Sequence, residues 1–151
     1  MTIRCEIVSQ DRSVFEGDVD MVTIPGKDGD MGILPHHAPL LSTIRLGVIK
    51  VRRGKEEMNF TITGGVVEVQ PTIVTILADA AENVEEIDIA RAEQARRQAE
   101  ERLKEGAPAG TEAFLAAEAA LRRSTLRLEV AQRFGRTRRQ RAEPPSAGSD
   151  E

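Results

Sequence analysis

His36 and His37 are the two histidines of the chain, set between Pro35 and Pro39 with Asp28 and Asp30 a few residues upstream. Imidazole and carboxylate are common zinc donors, so the stretch invites a metal reading. A metal site wants three or four donors converging on one point, and adjacent residues of an extended segment point to opposite sides. The spacing favours a loop whose histidines bond backbone and whose prolines set the bend. A metal enzyme is the lesser reading. Cys5 alternates with polar neighbours and reads as a core residue. Ser42 lacks the Gly-x-Ser-x-Gly frame of a nucleophile elbow. The run Gly26 to Gly32 lacks the Gly-Lys-Ser/Thr ending of a phosphate loop. No enzyme is expected from these residues.

The arginines carry a stronger signal. The 151-residue chain has a net charge of −4. Residues 1–84 hold 8 basic and 12 acidic side chains, whereas residues 121–141 hold 8 Arg and one Glu, Glu129, a local +7. A solvated face is the ordinary fate of such charges, but solubility is served by mixed signs, and this segment is not mixed. Arg123 and Arg127 are four apart and share one helix face. A single aromatic, Phe134, falls among the arginines, too little for base stacking, so nucleic acid is not an expected partner. An acidic protein surface, or a polyphosphate gripped by several Arg, fits better.

The elements that position these residues fall into two kinds. Ile3, Cys5 and Ile7 alternate with polar residues, as do Met58, Phe60 and Ile62, the period of half-buried strands. Val19–Ile24, Leu46–Val51 and Ile73–Ala78 read as further strands. Gly64-Gly65 reads as a hairpin turn with Val66–Gln70 returning, and Pro71-Thr72 as the next turn. Short strands at this spacing predict a β-sandwich or barrel. From Ile87 to Leu103 the composition shifts to strong helix formers, with Asp88 placed to cap the first turn. Gly106 to Gly110 stops that helix, and Thr111 caps a second one running to about Phe134, where Gly135 ends it. Phe114, Ala117, Leu121 and Leu128 form its apolar stripe.

Two helices on a short loop form an antiparallel hairpin, which sets Asp88 level with about Arg127. Its seam is alanine-rich and buries little area. The expected class is α+β: a β domain over 1–84, a helical hairpin over 85–134, and a disordered tail, basic then polar, over 135–151. The N-terminus has no hydrophobic leader core, and no apolar run approaches the ~18 residues of a membrane span, so a soluble cytoplasmic chain is expected.

Gly32-Ile33-Leu34-Pro35-His36-His37-Ala38-Pro39-Leu40-Leu41, followed by Gly47-Val48-Ile49, resembles the signature segment of the epsilon subunits of bacterial F-type ATP synthases, named delta in mitochondria. Ile3–Val8 with Val14-Phe15-Glu16-Gly17, then Gly64–Val69 and Val74–Asp79, resemble other segments of that family in order. The resemblance covers about residues 1–134. It implies a ten-stranded β-sandwich followed by two helices, in a non-catalytic subunit of the central rotor stalk. Such a subunit sits beside the gamma subunit and on the c-subunit ring, at the cytoplasmic face of the plasma membrane, and reaches the membrane only through the complex. It couples proton-driven rotation to ATP synthesis.

The resemblance also implies that Gly32, Pro35, His37 and Pro39 belong to the rotor-facing loop, with no metal. It implies that the hairpin, when extended, inhibits ATP hydrolysis, with Arg122, Arg123, Arg127 and Arg133 facing an acidic segment of a beta subunit. Some relatives bind ATP as a regulatory ligand, no cofactor being required, through I-D-x-x-R-A, matched by Ile87-Asp88-Ile89-Ala90-Arg91-Ala92. Arg123 and Arg127 match their two later arginines, whereas Gln98 stands where ATP-binding relatives carry a further Arg. The alternative for Asp88 is a plain helix cap. The alternative for the whole chain is a free-standing β-sandwich adapter with a basic helical arm.

Overall fold

The structure, a computed structural model, describes residues 1–106 and 108–142. The chain divides into two compact units, the first Met1–Asp88 and the second beginning at Ile89.

The first unit holds ten strands: β1 Ile3–Val8, β2 Ser13–Val19, β3 Met21–Gly26, β4 Gly29–Ile33, β5 Leu40–Ile44, β6 Gly47–Arg53, β7 Glu56–Ile62, β8 Gly65–Val69, β9 Ile73–Ala78 and β10 Ala81–Asn83. Neighbours run β10-β7-β6-β3-β5-β8-β9-β1-β2, with β4 paired to β3. The β3–β5 junction is a single residue pair, Gly26 with Ile44. The sheet folds over there into two five-stranded layers, and β2 closes back on β6 and β10. All neighbours are antiparallel except β1 and β9. The inward residues of each strand fill the core: Ile3, Cys5, Ile7, Val22, Ile24, Val51, Phe60, Ile62, Val67, Val74 and Ile76 are all buried. The alternation in β1 marks the core face as expected; in β7 Phe60 and Ile62 are buried as expected, but Thr61 between them is buried too. Phe15 lies against Phe60 with ring centroids 5.5 Å apart.

The Gly64-Gly65 expectation is corrected. Phe60 pairs with Asn83, Ile62 with Ala81, Gly65 with Ala78 and Val69 with Val74, one constant register from end to end. β7–β8 and β9–β10 are thus one long hairpin whose turn lies at 70–72, where Gln70 N–H donates to Ile73 O at 2.8 Å. Gly64-Gly65 is the bend at which both arms cross from one layer to the other. Both glycines have positive φ, +137° and +149°. Orthogonal corners of this kind require a residue without Cβ.

Cys5 is fully enclosed in β1. Burial, with a smaller push from the Glu6 carboxylate, raises its thiol from 9.0 to about 12. An acid held above its unfolded pKa favours the fold fully below pH 9.0 and loses that contribution as pH climbs toward 12. At pH 8 the thiolate fraction of Cys5 is roughly 1000-fold lower in the native chain than in the unfolded one, so alkylation should be slower than in urea by about that factor. Equal rates would show that the strand opens readily.

The second unit holds α1 Ile89–Lys104 and α2 Glu112–Ala142, joined by a short connection and packed on each other. Packing along their length across so short a link makes them antiparallel. Thr111 caps α2 by accepting from Phe114 N–H at 3.3 Å. α2 runs through Gly135, where the sequence reading ends it. One glycine costs only ~1 kcal/mol in a helix, and the Arg, Gln and Ala around it are strong formers. The expected tail from 135 is therefore helical as far as Ala142. Its remainder, 143–151, lies outside the described residues.

Candidate functional site

The loop 34–39 connects β4 to β5 and is locked by backbone. His36 has φ +64°, its N–H donates to Pro71 O at 2.9 Å, and His37 N–H donates to Leu34 O at 3.2 Å. His37 Nδ1 lies 2.7 Å from Ala38 O, so Nδ1–H is the donor to that carbonyl. Asp30 is held by Arg45 at 2.9 Å, and Arg45 Nε also donates to Gly26 O at 3.2 Å, tying the β3–β4 turn to the β5–β6 turn. Among the described residues no three His, Cys, Asp or Glu converge on a point that could hold a metal. Gly32 and Pro39 are exposed and Pro35 and His37 half-buried, while Leu34 and Leu41 are 51% and 72% exposed beside them. A rigid turn flanked by bare leucines is suited to docking rather than to bond chemistry.

The helical hairpin sorts its charges. Ala92 and Ala99 of α1 and Ala117, Ser124, Leu128 and Ala131 of α2 are buried along the seam, with Arg96 and Leu103 half-buried beside them. Phe114 and Leu121 of the expected stripe are half-buried, and Ser124, which that stripe omits, replaces them at its centre. The Ser124 hydroxyl returns to Ala120 O at 2.8 Å and Leu121 O at 3.1 Å. A polar side chain thus sits dry by bonding its own helix.

Successive helix residues are ~100° apart, and antiparallel helices turn in opposite senses along one axis. Residues one place before a seam residue therefore share one flank of the hairpin, and residues one place after share the other. The first flank collects Arg91, Gln98, Arg102, Arg123 and Arg127; the second collects Glu93, Glu100, Glu118 and Glu129 together with Arg97 and Lys104. Neither set is visible as a run in the sequence, because each is spread over two helices.

Each sequence-predicted residue can now be placed. Asp88 is the residue immediately before α1. Arg91 and Arg123 are exposed and Arg127 half-buried, all on the basic flank. Arg122 faces away from the seam and pairs with Glu118 at 3.6 Å. Arg133 is exposed, with its guanidinium 5.6 Å from the Phe134 ring centroid.

Residues 2–84 match the family model described as ATP synthase, Delta/Epsilon chain, beta-sandwich domain, and residues 85–132 match that of the long alpha-helix domain of the same chain. The chain belongs to the ATP synthase delta/epsilon family. It is 46% identical over 133 residues to the ATP synthase epsilon chain of Dehalococcoides mccartyi, covering 87% of this chain and 93% of that one. It is 47% identical over 131 residues to the ATP synthase epsilon chain of Herpetosiphon aurantiacus, covering 87% and 95%. A chain in the Euglena gracilis mitochondrial ATP synthase, solved as OSCP/F1/c-ring, superposes with TM-score 0.61 at 22% identity, over 90% of this chain and 81% of that one. A chain in the central stalk/c-ring structure of the Tetrahymena thermophila enzyme gives 0.56 at 15%, over 87% and 97%. These two likenesses show the fold, ten strands followed by two helices. Members of this family are non-catalytic chains of the synthase. Its helical model ends at residue 132, within α2.

Proposed function

We propose that the chain is the epsilon subunit of a bacterial F-type ATP synthase, a central-stalk element that couples rotation of the c ring to ATP synthesis and restrains ATP hydrolysis through its helices. The stalk position is supported by the solved structures it resembles, one an OSCP/F1/c-ring assembly and one a central stalk/c-ring assembly. The β unit engages the gamma subunit and the c ring, with Gly32, Pro35, His37 and Pro39 in the ring-facing loop. The observation that carries this is the rigidity of that loop beside exposed Leu34 and Leu41. Torque is transmitted only by a contact that does not yield, and the loop's backbone bonds and prolines remove its freedom before docking. No helix among the described residues is long and apolar enough to cross a membrane, so attachment at the cytoplasmic face of the plasma membrane comes through the partners.

For regulation, Arg122, Arg123, Arg127 and Arg133 supply the cationic surface that meets an acidic beta-subunit segment when the helices extend. Truncation should follow Asp88, since a shorter cut would remove β10, which pairs with β7. The reconstituted catalytic head should hydrolyse ATP several-fold faster with the truncated chain than with the full one. Equal rates would remove the inhibitory role and leave the coupling role standing.

A second reading concerns the same helices when folded: ATP binds on the basic flank through Asp88, Arg91, Arg123 and Arg127. Three guanidiniums and one carboxylate leave +2 toward a triphosphate, and the segregation of Glu93, Glu100, Glu118 and Glu129 to the far flank keeps repulsion away from it.

A further inference from the structure

In α1 Ala92, Arg96, Ala99 and Leu103 follow the 4-3-4 spacing of a packed helix face, with Glu93 and Ala95 half-buried beside them. Arginine occupies the second of these seam positions. Its Nε is shut off from water and has no hydrogen-bond acceptor. The nearest carboxylate, Glu100 Oε1, lies 3.9 Å away on the same helix, an ion-pair distance but too long for a hydrogen bond. The side chain is 42% exposed and lies toward the flank that carries Glu100. The two alanines that flank it on the seam, Ala92 and Ala99, are both buried. The Arg stem therefore fills a space that an apolar side chain would fill without a trapped donor.

We propose that Arg96 is a built-in weak point of the helical hairpin, a seam position whose buried Nε–H, with no hydrogen-bond acceptor, holds the closed pairing of α1 and α2 close to balance with the open one. A donor that is bonded to water when the helices part and bonded to nothing when they close favours parting. The surrounding alanines bury too little surface to offset it strongly. The hairpin is then easily released by any partner that binds the separated helices, because little closing free energy opposes it.

Lysine at 96 discriminates cause from coincidence. It places a methylene where Nε stands and keeps the positive charge in solvent. Backbone hydrogen exchange on the full chain, alone in solution, reads the closing equilibrium of α1 and α2, with the β-strand amides as internal reference. Arg96→Lys and Arg96→Met should each slow exchange in α1 and α2 about tenfold, equivalent to ~1.4 kcal/mol, with the strands unchanged. Unchanged or faster exchange in Arg96→Lys would overturn the proposal, because the charge or the guanidinium fork would then be holding the seam rather than loosening it. Slower exchange in Arg96→Met alone would also overturn it, since charge and not the buried donor would be the cause. The measurement uses the subunit by itself, so either failure leaves the ATPase reading untouched.

Discussion

Gly65→Ala should destabilise the β unit by roughly 3–5 kcal/mol, a large part of what a domain of this size possesses. Gly65 opens β8 in the middle of its layer, paired to Ile44 on one side and Ala78 on the other. An added Cβ would overlap Leu77 O and approach Ala78 Cα at 3.0 Å. Both are backbone atoms of a central ladder and cannot move aside without breaking it. The φ of +149° adds the strain that any side chain would meet there. Gly54→Ala is the matched control: its φ is +62° and nothing lies within 4 Å of the added Cβ. Only the left-handed penalty of ~1 kcal/mol then applies. Urea unfolding of both variants checks the contrast. Similar midpoints would mean that the corner is soft and the layers are not held where the hairpin crosses them.

The same corner explains what can be read from the sequence and what cannot. Alternation locates β1 because a strand with one wet face writes its burial into a period of two; β7 is buried on both faces from Phe60 to Ile62, and its alternation marks only one of them. Gly64-Gly65 announces a special backbone, yet the chemistry of a turn and of a bend between layers is the same: positive φ and no Cβ. Only the constant register from Phe60–Asn83 to Val69–Val74 tells them apart, and register is a property of two strands, not of one segment. Val19–Ile24 reads as one strand, whereas Asp20 interrupts it and turns its carboxylate to accept from Gly54 N–H at 2.5 Å. The bond comes from a residue 34 positions away. β4, Gly-Asp-Met-Gly-Ile, escapes a reading by pattern because two glycines in five residues hide a strand whose partner, β3, supplies the order. At the far end, Gly135 carries the look of a stop signal that its helix-forming neighbours outvote.

In the hairpin the sequence displays the number of arginines and conceals their partition. Arg122 and Arg123 are adjacent in the chain but point to different sides, one to Glu118 and one to the basic flank. Arg91 and Arg127 lie on different helices yet fall on that flank together, since each precedes a seam residue. Spacing of four ties Arg123 to Arg127 correctly, because that relation lies within one helix. Arg96 cannot be sorted by type: only its seam position, set by burial against the second helix, separates it from Arg97 beside it.

Arg127→Ala should weaken ATP binding by about 10- to 100-fold, the cost of one charge-assisted contact to phosphate, if the basic flank is the nucleotide site. Arg127 should matter more than Arg123. It is half-buried one place from Leu128, whereas Arg123 is exposed. The Arg127 stem is already ordered by the seam, and its head is less screened by salt. Arg127→Lys should recover only part of the loss, since an ammonium cannot grip a phosphate through two parallel N–H donors. Arg122→Ala, on the side away from the flank and paired with Glu118, should leave affinity unchanged. Calorimetric titration of ATP into the parent chain, these three variants and Arg123→Ala gives the ranking, and far-UV circular dichroism checks that the helices persist. If Arg122→Ala and Arg127→Ala lose affinity alike, the arginines act only as a diffuse field. If the parent chain gives no heat, Asp88 is a helix cap, and the segregated charges serve the extended hairpin's partner alone.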